Sequence, residues 1–175
     1  MHAKTSLFAA LAVATLGLYG AVAQAAEVNY MASLTGAETM PDPVKTTAVG
    51  QLQLVVSADG KSIRYVLTVK DLINPSAGDL HLGPAGANGP LVVKLFPVGG
   101  AAPKKGPFSG VLAQGTIDAG DLIGSLKGEK LDALLEELAA GNAYVNVHTT
   151  DGVEPPNTGP GDHPLGEIRG QIVKQ

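Results

Sequence analysis

Short runs of alternating apolar and polar residues, separated by turn-forming residues, constrain the fold of this chain most strongly. In one run, Leu52, Leu54 and Val56 fall on the same side, and the segment 62–70 alternates in the same way. A period of two with one apolar face is typical of a half-buried β-strand. The dipeptide Asp59-Gly60 lies between these two runs and predicts a hairpin turn.

The same pattern recurs along most of the chain. It predicts strands at 28–34, 48–57, 62–70, 78–82, 91–96, 108–117, 143–148 and 166–173. The segment 130–140 differs, because its leucines recur at helical spacing and Gly141-Asn142 follows as an exit turn. We therefore expect an all-β fold, an antiparallel Greek-key β-sandwich, with one short α-helix.

The first 25 residues have the composition of an export signal. Lys4 supplies a positive charge, residues 7–18 are apolar and uncharged, and Ala23-Gln24-Ala25 is a small-x-small cleavage site. A membrane anchor is the alternative, but the apolar run is too short for a comfortable span. We expect a signal peptide at 1–25, a single domain at 26–175, and a periplasmic or secreted protein.

Composition excludes several classes of function. The net charge is −4 and Lys104-Lys105 is the longest basic run, which argues against nucleic acid as a partner. The chain has no cysteine, so thiol chemistry and cysteine metal sites are excluded. It also lacks a Gly-x-Ser-x-Gly nucleophile motif, and the glycine-rich run 83–90 leads into a strand rather than a helix. We expect no catalytic residues.

Histidines are the most informative polar residues. Asp79 and His81 share one face of their predicted strand, and His148 lies on the polar face of another strand together with Asn146. His163 precedes the last strand. If these strands are neighbours, the four residues Asp79, His81, His148 and His163 can converge on one metal ion.

Imidazole and carboxylate groups suit zinc or copper(II). Asn146 or Glu167 would then supply hydrogen bonds to the ligands. The alternative, which the spacing alone favours, is a solvated outer face of the sheet. Under that alternative Glu167 and Arg169 form an ion pair of little energetic value.

Several ordered segments resemble the CHRD (chordin-like) domain family, in its small, exported, single-domain bacterial form. They are 34–38 (LTGAE), 79–90 (DLHLGPAGANGP), 144–149 (YVNVHT) and 163–171 (HPLGEIRGQ). The resemblance implies an extracellular location and a β-sandwich of the immunoglobulin-like or superoxide-dismutase-like type. The family usually has His-x-His where this chain has Asp79-x-His81, which implies a harder, mixed nitrogen and oxygen site.

The leading hypothesis is an exported, non-catalytic binding module that holds one copper or zinc ion at His81, His148, His163 and Asp79. One alternative is a structural or adhesive protein-interaction module without metal, and another is a metal-dependent enzyme. A similarity to copper–zinc superoxide dismutase is weaker. A dinuclear centre of that kind needs more imidazoles than the three available, and normally a disulfide.

Overall fold

The computed structural model describes residues 26–99, 102–157 and 159–175. The predicted signal peptide at 1–25 lies outside the described residues. Within the described ranges, no helix is both long and apolar enough to cross a membrane.

The described chain forms nine strands and one α-helix. The strands are β1 (Val28–Thr35), β2 (Val49–Val56), β3 (Ile63–Ile73), β4 (Pro75–Leu82), β5 (Leu91–Phe96), β6 (Pro107–Ile117), β7 (Ala143–Thr149), β8 (Ile168–Gln171) and β9 (Val173–Lys174). The helix is α1 (Leu131–Ala139), and short 3₁₀ turns occupy Gly36–Glu38, Ala119–Asp121 and Gly124–Leu126. Each predicted strand overlaps an observed one, although β3 and β4 are longer than predicted, and the last predicted strand is divided into β8 and β9.

The strands form one antiparallel sheet in the order β5-β4-β7-β8-β1-β2-β3-β6, with β9 paired to β1. Its two edge strands, β5 and β6, approach each other, so the sheet is nearly closed into a barrel. β3 is followed in sequence by β4 but does not pair with it, and such crossings are typical of Greek-key topologies. The predicted all-β antiparallel fold with one helix is confirmed; the two layers of the sandwich belong to one continuous sheet.

Apolar side chains of the alternating strands fill the interior. Leu52, Leu54 and Leu67 are fully buried, as the period-two pattern predicts. α1 adds Leu134 and Leu138 to the same core and ends before Gly141, as predicted. The opposite side of each strand is therefore the one that can carry function.

A hydrogen bond links β3 to the edge strand β5 across the interior. The Tyr65 hydroxyl in β3 donates to the Leu95 carbonyl oxygen in β5 at 3.0 Å, and both residues are buried. A buried carbonyl that loses its donor costs free energy, because water cannot replace the bond.

We expect Tyr65→Phe to lower the free energy of unfolding by about 1–2 kcal/mol, because it leaves the Leu95 carbonyl without its donor. Urea unfolding followed by circular dichroism measures the change. Tyr30→Phe is the matched control, since Tyr30 is equally buried and its hydroxyl forms no hydrogen bond with the residues that the structure describes. Equal losses in the two variants would contradict a role for the Tyr65 bond.

Candidate metal centre

Three neighbouring strands bring the predicted polar residues onto one face. β4 pairs with β7, and β7 pairs with β8. Asp79 lies opposite Asn146, which lies opposite Arg169 on the next strand. His148 pairs with Ala77 and is therefore the diagonal neighbour of Asp79. The adjacency on which the predicted site depends is present for β4 and β7.

Asp79, His81 and His148 form a compact cluster. Each offers one ligand atom, and these three atoms all lie within 4.8 Å of one another. Nε2 of His148 lies 3.4 Å from Oδ2 of Asp79. The ring centroids of the two histidines are 6.5 Å apart. This is the only such group of three or more ligating side chains among the described residues.

The cluster is not on a solvated surface. The side chains of His148 and Asp79 are only 16% and 10% exposed. The loop 83–90 and the segment 163–167 lie against this face. The alternative of a solvated outer face is therefore wrong for these two side chains.

Both imidazoles are oriented by backbone carbonyl groups. Nδ1 of His81 lies 3.0 Å from the Gly89 carbonyl oxygen, and Nδ1 of His148 lies 2.9 Å from that of Pro164. A carbonyl oxygen can only accept, so each Nδ1 carries the proton and each Nε2 keeps its lone pair. This hydrogen bond from the second ring nitrogen is typical of metal-ligating histidines. His81 Nε2 is buried and has no hydrogen-bond partner among the described residues.

Tyr144 and Arg169 hold the loop that orients His81. The Tyr144 ring stacks on the His81 ring with centroids 5.0 Å apart and planes at 12°. Its hydroxyl accepts a hydrogen bond from the Gly89 amide at 3.0 Å. Gly89 cannot carry a side chain, because a Cβ there would collide with the carbonyl oxygen of Leu82.

Arg169 donates to the Ala87 carbonyl oxygen at 2.7 Å and to Oδ1 of Asn88 at 2.9 Å. Its guanidinium lies 3.6 Å from the centre of the Tyr144 ring, a cation–π contact. The predicted ion pair of Arg169 with Glu167 does not form. Arg169 is 3% exposed and fixes the loop 83–90 instead.

Glu167 has a different role from the one predicted. Its two carboxylate oxygens accept hydrogen bonds from the hydroxyls of Thr46 and Thr149, each at 2.7 Å. It therefore joins the end of β7 to the segment before β2 and does not hydrogen-bond to either site histidine. The Gly89 and Pro164 carbonyls supply the bonds that were predicted from Glu167 or Asn146, and nothing in the sequence pattern identifies a backbone carbonyl in advance.

His163 is not part of the cluster. It lines a separate hollow together with Met40, Pro41 and Leu165. Its backbone amide donates to the hydroxyl of Thr149 at 2.9 Å. The segment that contains His163 contributes to the site through Pro164, whose carbonyl oxygen orients His148. The structure thus brings together three of the four predicted ligands.

Burial governs the charges of the cluster in the metal-free protein. Burial raises the pKa of Asp79 to about 6, although His81 and Lys94 act in the opposite direction. Burial also lowers the pKa of His81 and of His148, partly offset by their hydrogen bonds to carbonyl groups. Both imidazoles are therefore neutral at pH 7, the form in which they bind metal ions.

A protein-family comparison assigns the chain. The family model described as CHRD domain matches residues 30–156, which is most of the chain. The chain therefore belongs to the CHRD domain family, as the sequence motifs predicted, and this is a family of non-catalytic, extracellular-type interaction modules. The match includes Asp79, His81 and His148 but ends before His163. No curated protein and no solved structure matches the chain.

Asp79→Asn should stabilise the metal-free protein at pH 7. The folded-state pKa is raised, so this carboxyl group contributes stability below its unfolded pKa of 3.8 and loses that contribution as pH rises through about 6. The ionised form is therefore destabilising at pH 7. One pKa unit corresponds to about 1.4 kcal/mol, so we expect a gain of about 1–3 kcal/mol in the free energy of unfolding.

Chemical unfolding at several pH values, in the presence of a chelator, measures this gain. It should be largest above pH 6 and should shrink between pH 6 and 4. Asp71→Asn is the control, because the Asp71 side chain is 53% exposed. A loss of stability in Asp79→Asn at pH 7 would show that the buried carboxylate is stabilising instead.

Proposed function

We propose that this chain is an exported, non-catalytic binding module that holds one zinc or copper(II) ion at Asp79, His81 and His148. The observation that carries the proposal is the convergence of three ligand atoms within 4.8 Å, with both imidazoles fixed through Nδ1. The signal composition of residues 1–25, which predicts export, is the basis for proposing a periplasmic or secreted location.

The chemistry of the donor atoms favours these two ions. Two neutral imidazoles and one carboxylate are ligands that zinc and copper(II) accept readily. Copper(I) prefers thioether and thiolate sulfur, and the cluster contains none. A divalent cation would also neutralise the buried carboxylate and give the unpartnered His81 Nε2 a partner. The groups that are unfavourable in the metal-free protein are thus the ones that a metal ion satisfies.

Metal content after export tests the proposal directly. The chain is expressed with its own signal, purified without a histidine tag or chelator, and analysed for metals. We expect close to one zinc or copper ion per chain, lost in the double variant His81→Ala/His148→Ala because two of three ligands are removed.

His163→Ala is the matched control, since it removes an imidazole outside the cluster, and it should retain the metal. Loss of metal in His163→Ala would show that His163 is a ligand after all. If the unaltered chain carries no metal and takes up neither ion in titration, the proposal is wrong. The metal-free protein-interaction module then becomes the better account.

The site should release its metal in acid. Protons compete for the carboxylate and for both Nε2 atoms. Asp79 has a pKa of about 6 in the metal-free protein, and the histidine pKa values are lowered. Competition therefore becomes appreciable as pH approaches 6 and grows as the histidines protonate. Zinc affinity, measured by competition with a chromogenic chelator, should be constant from pH 8 to 7 and fall steeply between 6 and 4. A constant affinity down to pH 4 would exclude histidine ligands.

A further inference from the structure

The site face contains a second buried acceptor without a partner. Oδ1 of Asn146 is buried and forms no hydrogen bond within the described part of the chain, as is the case for Nε2 of His81. Asn146 is 9% exposed. An unsatisfied buried acceptor costs about 1–3 kcal/mol. Native proteins contain few such atoms, so two on one face call for a common explanation.

The position of Asn146 places its side chain beside the cluster. It lies directly opposite Asp79 in the β4–β7 register, and residues so paired have Cβ atoms about 4.5–5.5 Å apart. It also precedes His148 by two residues on β7, so the two side chains share a face. Asn146 therefore adjoins two of the three proposed ligands.

The orientation of the Asn146 amide is chemically fixed. Its Nδ2 donates to the Leu165 carbonyl oxygen at 3.0 Å. The oxygen cannot occupy that place, because a carbonyl oxygen offers no proton to it. Gly166 packs closely against the same amide, and a Cβ at Gly166 would collide with it. The chain thus holds the amide in one orientation, with Nδ2 on the Leu165 carbonyl and Oδ1 beside Gly166.

We infer that Oδ1 of Asn146 is the fourth protein ligand of the metal ion. This inference rests on the proposed function and completes it. The donor set is then two imidazole nitrogens and two oxygens, the number that a four-coordinate zinc site requires. Oxygen donors are hard ligands, so Asn146 also determines specificity: it favours divalent zinc or copper over copper(I).

Zinc titration of the unaltered protein tests the inference without any substitution. The protein is labelled with ¹⁵N and ¹³C, and the side-chain amides of Asn146 and Gln171 are followed by NMR. Coordination through oxygen polarises the amide, so the Asn146 Cγ and Nδ2 signals should shift in step with the histidine signals. Gln171 is the internal control, because it lies on the neighbouring strand and its Nε2 bonds to the carbonyls of Gly83 and Gly141.

Two variants extend the test. Asn146→Ala should weaken zinc affinity about 10- to 100-fold, a loss of the size found when groups supporting a metal site are removed. It should also change the visible spectrum of the cobalt(II)-loaded protein, which reports the number and kind of ligands. Asn146→Asp restores an oxygen donor and should recover most of the affinity. Gln171→Ala, which removes an amide of structural role only, should leave the cobalt(II) spectrum unchanged.

The outcomes separate the two proposals. If zinc shifts the histidine signals and not the Asn146 amide, the metal site stands and the fourth ligand is wrong. If the Asn146→Ala protein folds and its cobalt(II) spectrum is unchanged, Asn146 is likewise not the fourth ligand. If zinc moves none of these signals, the proposed function fails and the inference fails with it.

Discussion

The pairing of β4 with β7 is the constraint on which the site depends. It sets Asp79 against Asn146 and places His148 on the diagonal, so three side chains from two strands meet without any flexible segment between them. A shift of either strand by one residue would turn that strand's site residues toward the apolar interior, because side chains alternate between faces. Leu80 and Val145 oppose this shift, since both are fully buried on the other side of their strands. The core thus fixes the register, and the register fixes the site.

The loops bury the polar groups of the site, and this burial lowers the stability of the metal-free protein. The fold does not need polar groups at these positions. A carboxylate with a raised pKa, and two buried acceptors that have no hydrogen-bond partner within the described ranges, are unfavourable in a metal-free protein. A plain structural sheet would place threonine or valine at these positions at lower cost. Local violations of this kind are expected where a protein binds something. One divalent cation at the proposed site would relieve all of them.

The sequence predicts the strands well because alternation and turn residues are local signals. β5 is predicted at its observed bounds, and α1 within one residue at each end. The same alternation identifies Asp79, His81 and His148 as members of polar faces. Which strands are neighbours is a property of topology, and alternation carries no information about it.

The parts of the site that were missed depend on loops folding back. The Gly89 and Pro164 carbonyls orient the imidazoles, yet every residue has a carbonyl and none is distinctive in sequence. Arg169 was expected to pair with Glu167. Instead, Arg169 donates to the Ala87 carbonyl oxygen in the loop 83–90, and Glu167 accepts from the Thr149 hydroxyl at the end of β7. His163 was expected to join the site because it adjoins the last strand. The backbone bonds of 163–166 bring the Pro164 carbonyl to His148, and the His163 ring lines another hollow.

Charge explains why an aspartate suits position 79 of the proposed metal site. With both imidazoles neutral, Asp79 is the one anionic group of the cluster, and a bound divalent ion would leave a net single positive charge there. A third imidazole would leave two positive charges in a buried place already close to Arg169, whose charge acts on His81. Coulomb repulsion is strong where water is excluded. In the proposed site, the carboxylate would therefore make a divalent ion compatible with Arg169, which holds the loop 83–90.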